Sequence, residues 1–248
     1  MMSGAREQPG SATAFEGLVD HYDAGRPWYP PALYDALPDL SGRVLELGAG
    51  TGIATRELAA RAGGLVATDL GPKMLGRLHE RSPQVPVAVC RAEQLPFATG
   101  SFDVVCGGQM WHWVDTSRAT NEAARVLRRG GALAVWWNEV DADGLPWWDA
   151  QQDRLEAANP RYTRRYRERD YAAELAPVFP RVQTWSTRWV RTVDWPTYER
   201  WLRSKSYVQA LPDVESFLEE ERASLAQAFP DGRIVEPFRV SLWVARTA

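Results

Sequence analysis

The feature that most constrains how this chain can fold is a glycine-rich run directly after a short apolar segment. Residues 44–47 read Val-Leu-Glu-Leu, and Gly48-Ala49-Gly50-Thr51-Gly52 follows at once. Glycine adopts positive φ freely and lets a backbone approach a ligand closely. Residues 53–62 then have helical spacing and end at a glycine pair. The order of strand, glycine loop and helix predicts a ligand-binding turn at the carboxyl end of a strand.

The same alternation continues along the chain. Further strands are predicted at residues 65–68, 85–91, 102–106, 132–137, 182–193 and 234–245, and helices at 72–81 and 116–129. Residues 146–177 are predicted to be mostly helical, and 197–229 to form two helices broken near residues 211–212. Strands that alternate with helices of about 10–15 residues indicate βαβ units and a parallel sheet, so the class is α/β.

An acidic residue stands at the spacing that a nucleoside site requires. Asp69 ends the second predicted strand, about twenty residues after Gly48, where a carboxylate can accept hydrogen bonds from both ribose hydroxyls. Ile53 occupies the position of the third glycine of the dinucleotide pattern, which weakens the case for a pyrophosphate. The pattern favours an adenosine that carries an amino-acid tail. The alternative is a tight turn followed by a surface aspartate.

Composition narrows the class of protein. Of the 248 residues, 45% are hydrophobic and 25% charged, with a net charge of −3, so a folded globular chain is expected and a nucleic-acid partner is not. No apolar run approaches the roughly 20 residues that span a bilayer, so no membrane partner is expected. Cys90 and Cys106 lie in apolar runs and are predicted to be buried free thiols. Residues 1–13 are polar and predicted to be disordered, and a cytoplasmic location is expected.

Residues 43–138 resemble class I S-adenosylmethionine (SAM)-dependent methyltransferases of the small-molecule type. The motifs that carry the resemblance are residues 44–52, Asp69 with Met74, 92–97, 101–105 and 122–131. The resemblance implies a Rossmann-like, doubly wound, seven-stranded mixed sheet whose last strand is antiparallel, with helical lid insertions. It also implies SAM as cofactor and S-adenosylhomocysteine as product. No cluster of cysteine and histidine has metal-binding spacing, so no metal is expected.

The resemblance assigns roles to the glycine loop and its acidic partner. Gly48, Gly50 and Gly52 would pass under the methionine part of SAM. Asp69 would bind the ribose.

It also assigns roles around the adenine and the methionyl group. Leu70 and Met74 would flank the adenine, although Met74 is equally well explained as a helix core residue. Ala92 and Glu93 would lie at the adenine edge. Gln109, just past the fourth strand, would line the floor near the methionyl group.

Residues 21–30 resemble the Y-x-x-x-R-P-x-Y-P segment of one methyltransferase branch, which includes trans-aconitate-type carboxyl methyltransferases. Tyr22 could close over the cofactor, and Arg26 could pair with the SAM carboxylate or with an acidic substrate. The alternative is a proline-rich turn whose aromatic side chains pack on the sheet. Trp28 in this segment is interpreted as a packing residue.

His112 is the candidate catalytic residue. It lies in the aromatic segment 107–115, beyond the fourth strand, where open α/β sheets place ligands. An imidazole can deprotonate an acceptor, orient it, or only satisfy the local backbone, and a carboxylate acceptor needs no base. Trp136 and Trp137 cannot both face one cavity, because neighbouring residues of a strand point to opposite faces.

The predicted function is methyl transfer from SAM to a small-molecule acceptor, at a carboxylate or hydroxyl oxygen, by in-line displacement. The alternatives are a SAM-binding protein that transfers no methyl and an NAD-dependent oxidoreductase. One domain is predicted over residues 14–248, with an N-terminal lid (14–42), a cofactor-binding core (43–138) and substrate-lid helices with closing strands (139–248). Arginines and tryptophans of residues 185–201 favour an aromatic or acidic acceptor. The basic run 161–169 could bind an anion or form a solvated helix face, and the oligomeric state stays open.

Overall fold

The computed structural model describes residues 25–164 and 169–247. Within them the strands are β1 (Arg43–Leu47), β2 (Gly64–Asp69), β3 (Val87–Val89), β4 (Phe102–Gly108), β5 (Leu127–Val140), β6 (Arg181–Val193) and β7 (Ile234–Arg246). The helices are α1 (Pro31–Ala36), α2 (Thr55–Ala59), α3 (Pro72–Arg81), α4 (Thr116–Val126), α5 (Pro146–Ala158), α6 (Tyr171–Leu175), α7 (Trp195–Arg203), α8 (Ser206–Gln209) and α9 (Val214–Ala228). A short 3₁₀ helix covers Trp111–Trp113.

The seven strands form one sheet in the order β3-β2-β1-β4-β5-β7-β6. β1 pairs in parallel with β2 and β4, and β4 pairs in parallel with β5. β7 is antiparallel to β5, from Ala132↔Arg246 to Val140↔Phe238. The predicted mixed sheet with an antiparallel closing strand is confirmed. The strand order reverses between β1 and β4, and in open α/β sheets ligands bind beside the carboxyl ends of strands at such a point.

The central strands are largely apolar because both faces of the sheet are covered. Val44 and Val104 pack in the hydrophobic cluster on one face, whereas Leu45 and Val105 pack in the cluster on the other. Such strands lack the polar alternation of a half-exposed sheet. Trp136 and Trp137 divide in the same way between the two clusters, as the alternation of a strand requires.

Two predicted helices are shorter in the structure. The helix predicted at residues 116–129 ends at Val126, because Leu127 is buried and pairs with Phe102 as the start of β5. The helix predicted at 53–62 is reduced to Thr55–Ala59, since turns occupy residues 50–54. The strand predicted at 85–91 is confined to Val87–Val89.

The chain divides into two compact units. The sheet unit contains the described residues of 27–142, 168–192 and 235–248, and the helical unit contains those of 1–26, 143–167 and 193–234. The predicted partition into lid, core and substrate-lid segments remains a prediction.

A buried polar network joins three helices of the helical unit. Glu221 of α9 is fully buried and accepts hydrogen bonds from Gln151 and Arg154 of α5, at 2.8 and 2.5 Å. Gln151 also donates to the Tyr198 hydroxyl of α7 at 2.8 Å. Burial raises the pKa of Glu221 above its usual value. The helix predicted to follow residue 197 is divided here into α7 and α8, and Ser204 ends α7.

No helix among residues 25–164 and 169–247 combines the length and apolar character that crossing a bilayer requires. In the same ranges, no three or more histidine, cysteine, aspartate or glutamate side chains are grouped so that they could hold a metal ion. Cys106 is a buried free thiol, and Cys90 is a half-buried one. Burial raises the pKa of both thiols.

Candidate functional site

The glycine loop between β1 and α2 has the backbone that only glycine adopts at low cost. The φ angles of Gly48, Gly50 and Gly52 are 61°, 57° and 89°. A Cβ on Gly48 would lie 2.6 Å from Cβ of Met110, so this position also excludes a side chain for lack of space. The loop therefore stands at the carboxyl end of β1 in a conformation that depends on its glycines.

Asp69 holds the glycine loop in place through hydrogen bonds to its backbone. Its two carboxylate oxygens accept hydrogen bonds from the backbone N–H of Gly50, at 2.9 Å, and of Gly71, at 2.7 Å. The N–H of Ala49 donates to Thr68 O at 2.9 Å. Asp69 is half-buried, and these bonds anchor the glycine loop to the end of the neighbouring strand β2.

Glu46, which the sequence analysis did not single out, lies beneath this loop. It is 2% exposed, and its carboxylate accepts a hydrogen bond from the Thr55 hydroxyl at 2.6 Å. The pKa of Glu46 is raised to about 7, chiefly by burial; the Thr55 hydrogen bond lowers it and the nearby charge of Asp69 contributes to the rise. One sequence signal could have indicated this residue: Glu46 is a single carboxylate inside an otherwise apolar strand. A carboxylate buried in that way needs a specific hydrogen-bond partner.

The predicted adenine positions fall on the elements that flank β2. Leu70 is half-buried at the end of β2, whereas Met74 is 4% exposed in α3, as a core residue would be. Ala92 is buried. Glu93 accepts a hydrogen bond from the Asp115 N–H at 2.9 Å, so its carboxylate is joined to the start of α4. The roles of these four residues toward an adenine remain predictions.

The turn after β4 lies against the glycine loop. Gln109 has φ of 58°, which makes it the one residue other than glycine with positive φ in the described part of the chain. Its N–H donates to Trp136 O at 3.0 Å, and its side-chain amide donates to Asn138 O. The next residue, Met110, packs against Gly48. Gln109 is thus held beside the glycine loop, and its role near a methionyl group remains a prediction.

Asn138, near the carboxyl end of β5, connects three segments at this edge and was missed from the sequence. Besides the Gln109 bond to its carbonyl, its side-chain oxygen accepts from the Trp189 indole N–H at 2.9 Å. Its side-chain N–H₂ donates to Trp28 O at 3.4 Å. These partners lie 51 and 110 residues away, so no local sequence signal could have indicated the contacts.

His112 lies in the 3₁₀ helix between two indole rings. Its ring centroid is 4.7 Å from that of Trp113 and 4.6 Å from that of Trp137, which meets it edge to face. Trp111 is 1% exposed and belongs to the core. The imidazole is half-buried and held by aromatic packing, a geometry that allows each of the roles predicted for it.

Of the N-terminal segment, Tyr22 lies outside the described residues. Arg26 lies in the helical unit, where its guanidinium donates to Ser204 O at 2.9 Å, at the end of α7. Gly25 packs against the same helix, since a Cβ there would lie 2.4 Å from Trp201 N. Tyr29, in the sheet unit, meets Trp136 edge to face at 5.7 Å. The predicted roles of Tyr22 and Arg26 toward SAM remain predictions.

The basic run 161–169 is described at its two ends. Arg164 pairs with Asp153 and Glu156, and Arg169 pairs with Glu174 at 2.8 Å. These described arginines are engaged with carboxylates of the chain itself. The arrangement agrees with a charged surface more closely than with an anion site.

The sheet order shows a Rossmann-like α/β fold, and the glycine loop with its carboxylate lies at the carboxyl ends of the strands, where such folds bind ligands. Comparison with known proteins shows what the chain is similar to. Residues 45–135 match the family model described as a methyltransferase domain. An uncharacterized methyltransferase of Mycobacterium tuberculosis is 45% identical over 135 residues, which are 54% of this chain and 55% of that protein. The chain thus aligns with about half the length of the curated relatives it matches.

Solved structures extend the similarity over most of the chain. A protein of Anaeromyxobacter dehalogenans described as a candidate type II methyltransferase is 27% identical, with a TM-score of 0.67 over 89% of this chain and 96% of that one. A phosphoethanolamine N-methyltransferase of Haemonchus contortus, solved with S-adenosyl-L-methionine, is 17% identical, with a TM-score of 0.57 over 96% of this chain and 60% of that one. This second likeness concerns the fold. The predicted fold class is confirmed, and the single domain predicted over residues 14–248 remains a prediction.

Proposed function

We propose that this protein transfers a methyl group from SAM to a small-molecule acceptor. The observation that carries the proposal is the glycine loop held by Asp69: three glycines at positive φ and a carboxylate bonded to the Gly50 N–H. The methyltransferase domain matched by residues 45–135 supports the reaction class. The most specific form of the proposal places the acceptor atom on a carboxylate or hydroxyl oxygen, as in the branch that residues 21–30 resemble.

The residues present fit an adenosine with an amino-acid tail. Gly48 and Gly50 are half-buried and have positive φ, a backbone that allows close approach of a ligand to the loop. Asp69 is half-buried at the end of β2, where its oxygens can also accept ribose hydroxyls. SAM, when bound, supplies a methyl group already activated by a positive sulfur.

The protein must then align the acceptor with this methyl group, and residues of this chain provide that alignment. Met110 follows Gln109 in the chain and packs on Gly48, so it holds the turn after β4 against the glycine loop. This contact would keep the floor of the site and the loop in a fixed relative position. Preorganised alignment of reacting groups supplies much of the acceleration in such displacements. His112 would orient a hydroxyl acceptor or take its proton, whereas a carboxylate acceptor would need only the orientation.

Calorimetric titration with SAM, S-adenosylhomocysteine and NAD tests the cofactor. We expect SAM and its demethylated product to bind at micromolar concentration or better and NAD to remain silent. Asp69→Asn should weaken SAM binding. The matched control is Asp103→Asn, because Asp103 also accepts a backbone N–H, that of Arg43, at the other end of the sheet. The absence of a binding signal with SAM in ligand-free protein would contradict the proposal. Binding of NAD alone would support an oxidoreductase.

Methyl transfer itself separates an enzyme from a protein that only binds SAM. Tritiated methyl from SAM should appear in a member of a panel of small carboxylic acids and alcohols. Binding of SAM without transfer to any acceptor class, including amines, would favour the non-methylating alternative. A cytoplasmic location is also part of the proposal, supported by two cysteines that are both free thiols.

A further inference from the structure

Three aromatic side chains form a stack at the carboxyl edge of the sheet unit. Trp189 of β6 stacks on the buried ring of Phe238 in β7, with centroids 5.0 Å apart and planes at 20°. Trp28 packs on Trp189 at 5.6 Å. We call these three residues the aromatic stack. It begins in the core at Phe238 and ends at the surface with Trp28.

The outer end of the aromatic stack is exposed although it is well held. Trp28 is 56% exposed and is the one aromatic side chain more than half exposed in the described ranges. Its ring is supported by Trp189, and its carbonyl accepts from Asn138. An exposed indole that is supported by a second ring offers a flat apolar face on which a planar ligand can pack.

The aromatic stack is joined to the candidate cofactor loop by a short series of contacts. Asn138 binds Trp189 through its side-chain oxygen and receives the Gln109 amide at its carbonyl. Met110, next to Gln109, packs on Gly48. The exposed indole therefore belongs to the same edge of the sheet as the glycine loop, on the side of β5.

The charges around the aromatic stack are paired with one another. Arg191, which lies over the Phe238 ring, forms a buried ion pair with Glu236 at 2.5 Å. Arg188 and Arg239 both pair with Asp141, at 2.6 and 2.8 Å. Because these arginines already pair with carboxylates of the chain, they add little affinity for an acidic acceptor. A planar ring, in contrast, can pack on the indole face of Trp28.

We propose that the exposed face of Trp28, supported by Trp189, binds the methyl acceptor and that this acceptor carries a planar aromatic ring. The proposal rests on the proposed methyl transfer and names its substrate class. Aromatic pairs gain free energy beyond their buried area, so loss of the indole should weaken binding of an aromatic ligand about three- to tenfold.

The test compares two probes of similar size, 2-naphthol and decahydro-2-naphthol. Binding of each is measured by saturation-transfer NMR, with and without S-adenosylhomocysteine. We expect 2-naphthol to bind more tightly, Trp28→Leu to weaken it about three- to tenfold, and Trp28→Phe to retain most of the affinity. Because Trp28 is exposed, both variants should fold.

Trp185→Leu is the matched control. Trp185 lies on β6 four residues before Trp189, is also half-buried and packs against the same face of the sheet. Equal binding of the two probes, no binding of 2-naphthol, or an equal loss in Trp185→Leu would overturn the proposal. S-adenosylhomocysteine binding, measured separately, reports on the proposed function, so the two ideas can fail independently.

Discussion

Replacing Glu46 with glutamine should make the protein's stability less sensitive to pH. Glu46 is buried beneath the glycine loop, and its pKa is raised from 4.5 to about 7, chiefly by burial. The folded carboxyl therefore takes up a proton at a higher pH than the unfolded one. The stabilisation from this proton is complete below about pH 4.5 and is lost as the pH rises through about 7.

The size of the effect follows from the two pKa values. A rise from 4.5 to about 7 corresponds to about 3 kcal/mol between the protonated and ionised limits. Between about pH 5 and pH 8, the wild type should lose roughly 2–3 kcal/mol of stability through this residue alone. Glutamine stays neutral and can still accept a hydrogen bond from the Thr55 hydroxyl. The stability of Glu46→Gln relative to the wild type should therefore increase by that amount as the pH rises from about 5 to about 8.

Urea unfolding of both proteins at several pH values, followed by circular dichroism, measures the difference. Glu122→Gln is the control, because hydrogen bonding to Arg125 lowers the pKa of Glu122. That stabilisation is present at neutral pH and is lost as the pH falls, so the Glu122→Gln difference should change in the opposite direction. A Glu46→Gln difference that does not vary with pH would refute the reasoning.

Three further outcomes are expected. Gly48→Ala should weaken SAM binding about tenfold or more, since φ of 61° and the 2.6 Å approach to Met110 exclude a methyl group; calorimetry checks it, and Gly76→Ala, in open space on α3, should bind normally. His112→Ala should lower turnover without changing SAM affinity, and unchanged turnover at saturating acceptor would remove His112 from the mechanism. Arg191→Met should cost about 3–5 kcal/mol in urea unfolding by removing the guanidinium that pairs with buried Glu236, and a smaller loss would show that the pair is dispensable.

Local patterns were sufficient to predict the α/β class and the glycine loop after β1. Strand alternation places Trp136 and Trp137 on opposite faces, and it depends only on the chain's period of two. The positive φ of Gly48 follows from a tight turn between strand and helix. The helix at Pro72–Arg81 was predicted with its observed bounds, because proline in the first turn marks its start.

Contacts between distant segments could not be predicted in this way. Whether Asp69 would bond to the Gly50 N–H depends on how β1 and β2 pair, which a single sequence does not give. The contact of Asn138 with Trp189 requires β5, β7 and β6 to lie side by side. Helix α4 ends early because sheet pairing of Leu127 overrides its helical pattern.

The conformation of Gln109 has a consequence for how this protein responds to selection. A φ of 58° costs a residue with a side chain about 1 kcal/mol or more in conformational free energy, whereas glycine adopts this angle without that cost. Selection for thermal tolerance alone should therefore enrich Gln109→Gly. Such a variant would lose the side-chain amide that donates to Asn138 O, so populations evolved for heat resistance should exchange this hydrogen bond at the end of β5 for a relaxed backbone.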